Sequence, residues 1–165
     1  MRAFIFLLLL GLLGAGCETT KPKPETQNVH RGASFEMQIP ADASVFVDQG
    51  DGFAVHYVRV SKDGKAKLGI YEGQRPQLFS KKENNLTAMR HTALNRENIQ
   101  GDDVWGVDSN ALNWRESIWN CQRIIHGKNG KTFRLPTMLH IWYFDATDEE
   151  QTAFDAMINS IEMLK

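Results

Sequence analysis

From Phe35 onward the chain keeps returning to one pattern: a short stretch of alternating apolar and polar residues, then a turn rich in Gly, Asp or Asn. A period of two puts every second side chain on one face of an extended strand, so the pattern dictates sheet with a buried face. Phe35, Met37 and Ile39 alternate with polar residues until Pro40 ends the run. Phe53 to Val60 follows the turn-forming Gly50-Asp51-Gly52 as a second strand. Lys62-Asp63-Gly64-Lys65 is a hairpin signal, because Asp-Gly accepts the positive φ of a tight turn. Lys67 to Glu72 then returns, closed by Gly73 and Pro76. Val104 to Val107 and Leu112 to Ile125 are further strands joined through Ser109-Asn110. After the His126 to Lys131 turn, Thr132 to Phe144 runs back. Pro136 inside it has no N–H to give a ladder and calls for an edge or a bulge.

Two segments depart from the alternation. In Lys81 to Asn98, the spacing of Leu86, Met89 and Leu94 predicts a helix. At the C-terminus, Thr147-Asp148-Glu149-Glu150 forms a capping box, in which Thr147 and Glu150 satisfy each other's backbone N–H groups. Phe154, Met157, Ile158, Ile161 and Leu164 follow at helical spacing, predicting a helix over 148–164 with one apolar stripe for the sheet. The expected fold class is therefore α+β, a mainly antiparallel sheet with helices packed on it. The order of Phe35-to-Pro40, then Leu68-Gly69-Ile70-Tyr71-Glu72-Gly73, a long late hairpin and a terminal helix around Ser160-Ile161 resembles PsbP-like domains. That resemblance covers Ser34 to Lys165 and implies an α/β/α sandwich with a binding or assembly role rather than catalysis.

The N-terminus carries a separate message. Met1-Arg2 precedes an uncharged run from Ala3 to Leu13, followed by Gly14-Ala15-Gly16-Cys17. A basic start, a short apolar run and small residues are the layout of a secretory signal. The run of about 11 residues is too short for a spanning helix, which needs roughly 20. Leu13-Gly14-Ala15-Gly16-Cys17 resembles the lipobox of bacterial lipoprotein precursors, with Gly14 where that family usually has Leu. The resemblance implies removal of residues 1–16, diacylglycerol on the Cys17 thiol and acylation of the new amine. Each buried methylene contributes about 0.8 kcal/mol, so three chains make attachment effectively permanent. Glu18 after the cysteine, rather than Asp, implies the periplasmic face of the outer membrane. From Glu18 to Ala33 the chain is polar, with Lys21-Pro22-Lys23-Pro24, and buries too little to order itself. The expected organisation is thus a lipidated tether over 17–33 and a single globular domain over 34–165.

With 19 basic and 20 acidic residues, the chain gives no reason to propose nucleic acid or an anionic membrane surface as partner. The expected partners are the membrane, through the N-terminal lipid, and an envelope protein or a glycan. With Cys17 committed to lipid, Cys121 stands alone, which favours a buried, inert thiol over a reactive one.

No residue spacing demands chemistry. His30, His56, His91, His126 and His140 form no metal-binding pair by spacing, although His56 and His140 lie in predicted strands with Glu72 or Cys121 as further ligands. There is no nucleophile elbow and no phosphate loop, and Asp102-Asp103 reads as a solvated turn. No metal and no cofactor are expected. The aromatics carry more: Trp105, Trp114, Trp119 and Trp142 are many for one domain, and rings on an exposed sheet face stack on sugar or anchor a protein. Strand parity puts Trp114 with Leu112 and Ile118 in the core and Trp119 on the other face with Cys121. The loop Tyr71-Glu72-Gly73-Gln74-Arg75-Pro76 offers Glu72, Gln74 and Arg75 at a strand exit, where binding groups concentrate. The candidate binding residues are therefore Trp119, Trp105, Glu72, Gln74 and Arg75. The expectation is a non-enzymatic binding or assembly lipoprotein; the alternative is a small periplasmic enzyme using Cys121 or a His/carboxylate cluster.

Overall fold

The computed structural model describes residues 27–79, 86–96 and 99–164. The described strands are β1 (Gln27–Arg31), β2 (Phe35–Pro40), β3 (Ser44–Gly50), β4 (Phe53–Arg59), β5 (Leu68–Gly73), β6 (Leu86–Arg96), β7 (Ile99–Asp108), β8 (Asn113–His126), β9 (Thr132–Ala146) and β10 (Glu162–Met163). One helix, α1 (Asp148–Asn159), lies between β9 and β10. Seven strands form one sheet in the order β3-β4-β5-β9-β8-β7-β6, and β1-β2-β10 form a second. Every pairing is antiparallel.

The alternation of the sequence becomes two distinct faces of the large sheet. Val58, Leu68, Ile70, Trp119, Cys121, Leu139, Ile141 and Tyr143 share the inner face. Over them lie Phe35, Met37 and Ile39 of β2, then Phe154, Met157 and Ile158 of α1, and Ile161. Burying such side chains contributes about 1.5–3 kcal/mol each, and this single cluster holds the two sheets and the helix together. Beside it Arg115 of β8 clamps α1 to the sheet. Its guanidinium meets Asp103 of β7 at 2.5 Å and Asp155 of α1 at 2.8 Å. Ser117 donates to Asp103 at 2.6 Å and Tyr143 to Asp155 at 3.1 Å. Burial alone would lower the Arg115 pKa, but the two carboxylates outweigh it and raise it above its ordinary value.

The expected α+β class, with helices packed on a sheet as an α/β/α sandwich, is corrected: this is a β-rich fold with one helix among its described residues. The predicted helix over 81–98 is the main reason. Its described part, Leu86–Arg96, is a strand laddered against β7 from Leu86↔Asp108 to Arg96↔Ile99. The spacing of Leu86, Met89 and Leu94 suits a helix, but β-branched Thr87 and Thr92 suit a strand, and pairing with β7 decides between them. Residues 80–85 and 97–98 lie outside the described residues.

The C-terminal helix is also shorter than the apolar stripe. Its capping box is present as predicted, with Glu150 N–H donating to Thr147 Oγ1 at 3.3 Å and Thr147 N–H to Glu150 Oε2 at 3.1 Å. The helix ends at Asn159. There Ser160 Oγ donates to Met157 O at 2.7 Å and accepts the Gln38 N–H at 2.9 Å, turning the chain onto β2. Ile161 is buried from an extended segment, and β10 pairs with Glu36 and Phe35. At the other end, residues 27–31 were expected in the tether and instead form β1. The strand is mostly exposed and is held by its ladder to β2 and by the half-buried His30.

Candidate functional site

The outer face of the large sheet is where the remaining aromatics gather. Phe53, Val55 and Tyr57 of β4, Tyr71 of β5, and His140 and Trp142 of β9 line a cleft of about 690 Å³. Two glycines of β5 make its wall. A Cβ on Gly69 would collide with the indole of Trp142, and one on Gly73 with the phenol of Tyr71. Each ring therefore lies over bare backbone, a close approach that only glycine permits. Gly69 and Trp142 are direct cross-strand partners, so the register itself sets the indole in place.

Residues 74–79 close the other side. The Arg75 N–H donates to Tyr71 Oη at 3.2 Å, turning the chain back over the sheet. Gln74, Arg75 and Gln77 line the cleft, and Phe79 packs on His140 and Trp142 with ring centroids 5.4 and 5.2 Å away. One buried carboxylate oxygen fixes this segment: Glu116 Oε1 accepts the Phe79 N–H at 2.7 Å and lies 2.6 Å from His140 Nε2. His140 and Glu116 are both almost fully buried, so each needs the other to satisfy its polar atoms. Phe53 stacks on Tyr71 at 5.8 Å, and Tyr57 meets Trp142 edge-on at 6.3 Å. The result is a wall of rings with an arginine, two amides and Asp51 at its margin. Such a site grips planar or apolar surface by stacking and reads polar groups by hydrogen bonds.

The candidate residues fall into separate places. Gln74 and Arg75 are exposed and line the cleft. Trp119 is not at a surface at all: it is 0% exposed, on the inner face opposite Leu139 and Gly101. The covering by β2, β10 and α1 is what parity alone could not reveal. Trp105 of β7 is half-buried, paired with Arg115 of β8, and is not among the residues that line the cleft. Glu72 is buried on the inner face, where it accepts the Ala33 N–H at 2.9 Å and stands 3.8 Å from His56 Nε2. Burial works to raise its pKa, but interactions with His56, Ser34 and the Ala33 N–H hold it below its ordinary value. Cys17 lies outside the described residues.

The chemistry weighed from sequence does not assemble. His56 pairs with Ile70 on the inner face, whereas His140 points to the outer one, so the two do not share a site. Among the described residues no group of three His, Cys, Asp or Glu side chains is arranged to hold a metal ion. Cys121 is buried, its thiol donates to Trp119 O at 3.6 Å, and burial pushes its pKa up to about 11. Asp102 and Asp103 are split by strand alternation: Asp103 is buried on Arg115, and Asp102 is exposed beside His91 at 3.0 Å. Phe53, Tyr57, Phe79, His140 and Trp142 make the cleft and are not among the candidate binding residues, although His140 and Trp142 stand among the histidines and tryptophans named from the sequence. For His140 and Trp142 the signal was present as alternation that matches across the pair, Gly69-Tyr71-Gly73 against Trp142-His140-Met138.

Comparison with known protein families, with curated proteins and with solved structures finds no match to this chain.

Proposed function

We propose that this chain is a lipid-anchored envelope lipoprotein whose folded domain binds a glycan in the aromatic cleft, without chemistry of its own. The supporting observation is the wall of Trp142, Tyr71, Tyr57 and Phe53 faced by Gln74, Arg75 and Gln77. Sugar rings present flat C–H faces that stack on aromatic rings, and their hydroxyls take hydrogen bonds from amides and guanidinium. A cleft of about 690 Å³ suits a short oligosaccharide or a few units of a polymer. The inert Cys121 and the structural use of Glu116 by the Phe79 N–H both weigh against the enzyme reading.

The anchor rests on the Leu13 to Cys17 segment. No helix of the described residues is long and apolar enough to cross a membrane. The test has two arms. Titrating peptidoglycan fragments and neutral oligosaccharides against the mature chain should change tryptophan fluorescence in the wild type and not in Trp142→Ala; no response from any glycan defeats the binding reading. Cys17→Ser should move the protein from the membrane to the soluble fraction, and unchanged fractionation removes the anchor.

A further inference from the structure

The long β8–β9 hairpin outgrows the sheet that holds it. β7 follows β8 only as far as the Gln100↔Asn120 pair, and β5 meets β9 only from the Gly73↔Met138 pair. Cys121 to His126 and Thr132 to Thr137 continue as a two-stranded ladder that no described strand flanks. At about 3.4 Å per residue the arm stands roughly 17 Å beyond the sheet. Pro136 sits within it, where β9 has β8 as its one described neighbour. The tip turns through Gly130 at φ 70°, with the Gly127 N–H donating to Lys131 O at 2.8 Å.

The arm's composition is unlike the rest of the chain. No Asp or Glu occurs between Glu116 and Asp145, while Arg123, Lys128, Lys131 and Arg134 all fall on the arm. A net charge of −1 for the whole chain conceals this local excess of cations. Lys128, Lys131 and Arg134 are exposed, and between and beside them Phe133 and Leu135 are 52% and 44% exposed. Two large apolar side chains left in water on a projecting ladder have no role in the core.

We propose that this arm is a docking element for an anionic lipid bilayer, with Phe133 and Leu135 entering the headgroup layer and the cations bound to phosphate. Charge selects the occupant. Two arms brought together would set like charges side by side, which excludes self-association through this surface. An anionic partner is complementary, and apolar side chains flanked by Lys and Arg are the pattern of interfacial insertion, with the cations' alkyl stems lying along the apolar layer. Phe133 and Leu135 share the inner side of the sheet with Thr137 and Leu139, and Arg134 alternates to the outer side. The arm therefore docks by its projecting end, and the cleft, none of whose lining residues lies on the arm, stays open. The contact depends on the arm's own residues and not on lipid at Cys17.

The test is co-sedimentation of the mature chain carrying Cys17→Ser with vesicles of phosphatidylglycerol and, separately, of phosphatidylcholine. Binding to phosphatidylglycerol alone, weakening as salt is added, is the expected result. Lys131→Gln with Arg134→Gln should weaken that binding roughly 30-fold. Phe133→Ser with Leu135→Ser should weaken it by at least tenfold while circular dichroism remains that of the parent. Equal binding to both vesicles, or arm variants that bind like the parent, overturns the proposal. Absence of binding to either also overturns it and leaves an acidic protein segment as the arm's partner.

Discussion

His30 Nε2 and His56 Nδ1 face each other across 2.9 Å, a contact that requires one nitrogen to carry a proton and the other to lack it. It joins β1 of the small sheet to β4 of the large one, with Phe35 edge-on to both rings at 6.3 and 5.2 Å. Behind it His56 Nε2 stands 3.8 Å from Glu72 Oε2. Burial first, and His56 second, lower the His30 pKa from its ordinary 6.5.

That lowering fixes the sign of a pH dependence. The unfolded chain binds a proton on His30 more readily than the folded one, so stability falls as pH drops from about 6.5 toward the lower folded value. Glu72, held below its ordinary value of 4.5, adds a second loss as pH falls through its own folded range. Thermal melts from about pH 8 down to about pH 3 should show both declines, the second only below pH 4.5, and His30→Gln should remove the first. A variant with the same pH profile as the parent would show that the histidine contact does not carry it.

The seating of Trp142 over Gly69 predicts a site-specific defect. Gly69→Val forces the indole off the β5 backbone and should abolish glycan binding, at a stability cost of about 1–3 kcal/mol. Gln77→Ala, at the margin, should weaken binding and leave the melting temperature unchanged. If Gly69→Val binds like the parent, the indole is not part of the recognition wall.

Arg115 is the only cation described between Asp103 and Asp155, and it is largely buried. Arg115→Ala strands a buried carboxylate and should cost about 3–5 kcal/mol. Denaturant melts of Arg115→Ala and of Arg115→Ala with Asp103→Ala should differ, the double variant recovering part of the loss. Equal losses would mean that the carboxylate at 103 is already satisfied by Ser117.

Cys121 should resist alkylation. With the Cys121 thiol buried and its pKa raised to about 11, native Cys17→Ser protein at neutral pH should react slowly with maleimide, and the denatured form rapidly. Fast labelling of the native chain would contradict the covering of the inner face by β2, β10 and α1.

Much of the sheet was legible in the sequence because strand alternation reports a local fact, which side of the backbone is apolar. Phe35, Met37 and Ile39 are buried as their spacing indicates, and the Thr147–Glu150 box starts α1 where it should. Alternation does not report what covers a face. Trp114 and Trp119 were correctly put on opposite sides, yet both are buried: Trp119 under α1 and the small sheet, Trp114 with its ring stacked at 6.4 Å on Phe144. The errors at Leu86–Arg96, at β10 and at β1 share a cause. In each case another strand, the neighbouring β7 for β6 and β2 for β1, and the far-off β2 for β10, supplies the hydrogen bonds that decide the conformation, and the spacing within the segment itself carries no trace of it. Of the cleft, the loop bearing Gln74 and Arg75 was visible as a strand exit, whereas Phe79 and His140 become neighbours only once β5 and β9 pair.

The small sheet has a further consequence, for the order of events in folding. β2 is formed within the first forty residues but cannot complete its hydrogen bonds until Glu162 and Met163 arrive to pair with Glu36 and Phe35. β5 likewise waits for β9, some 70 residues later in the chain. The early strands pair with their neighbours, β1 with β2 and β3 with β4 and β5, but neither group can close its sheet while the chain is still being made, and that closure is long-range and slow. Under the proposal that the chain is exported, that delay would keep the two sheets open until the far end has followed.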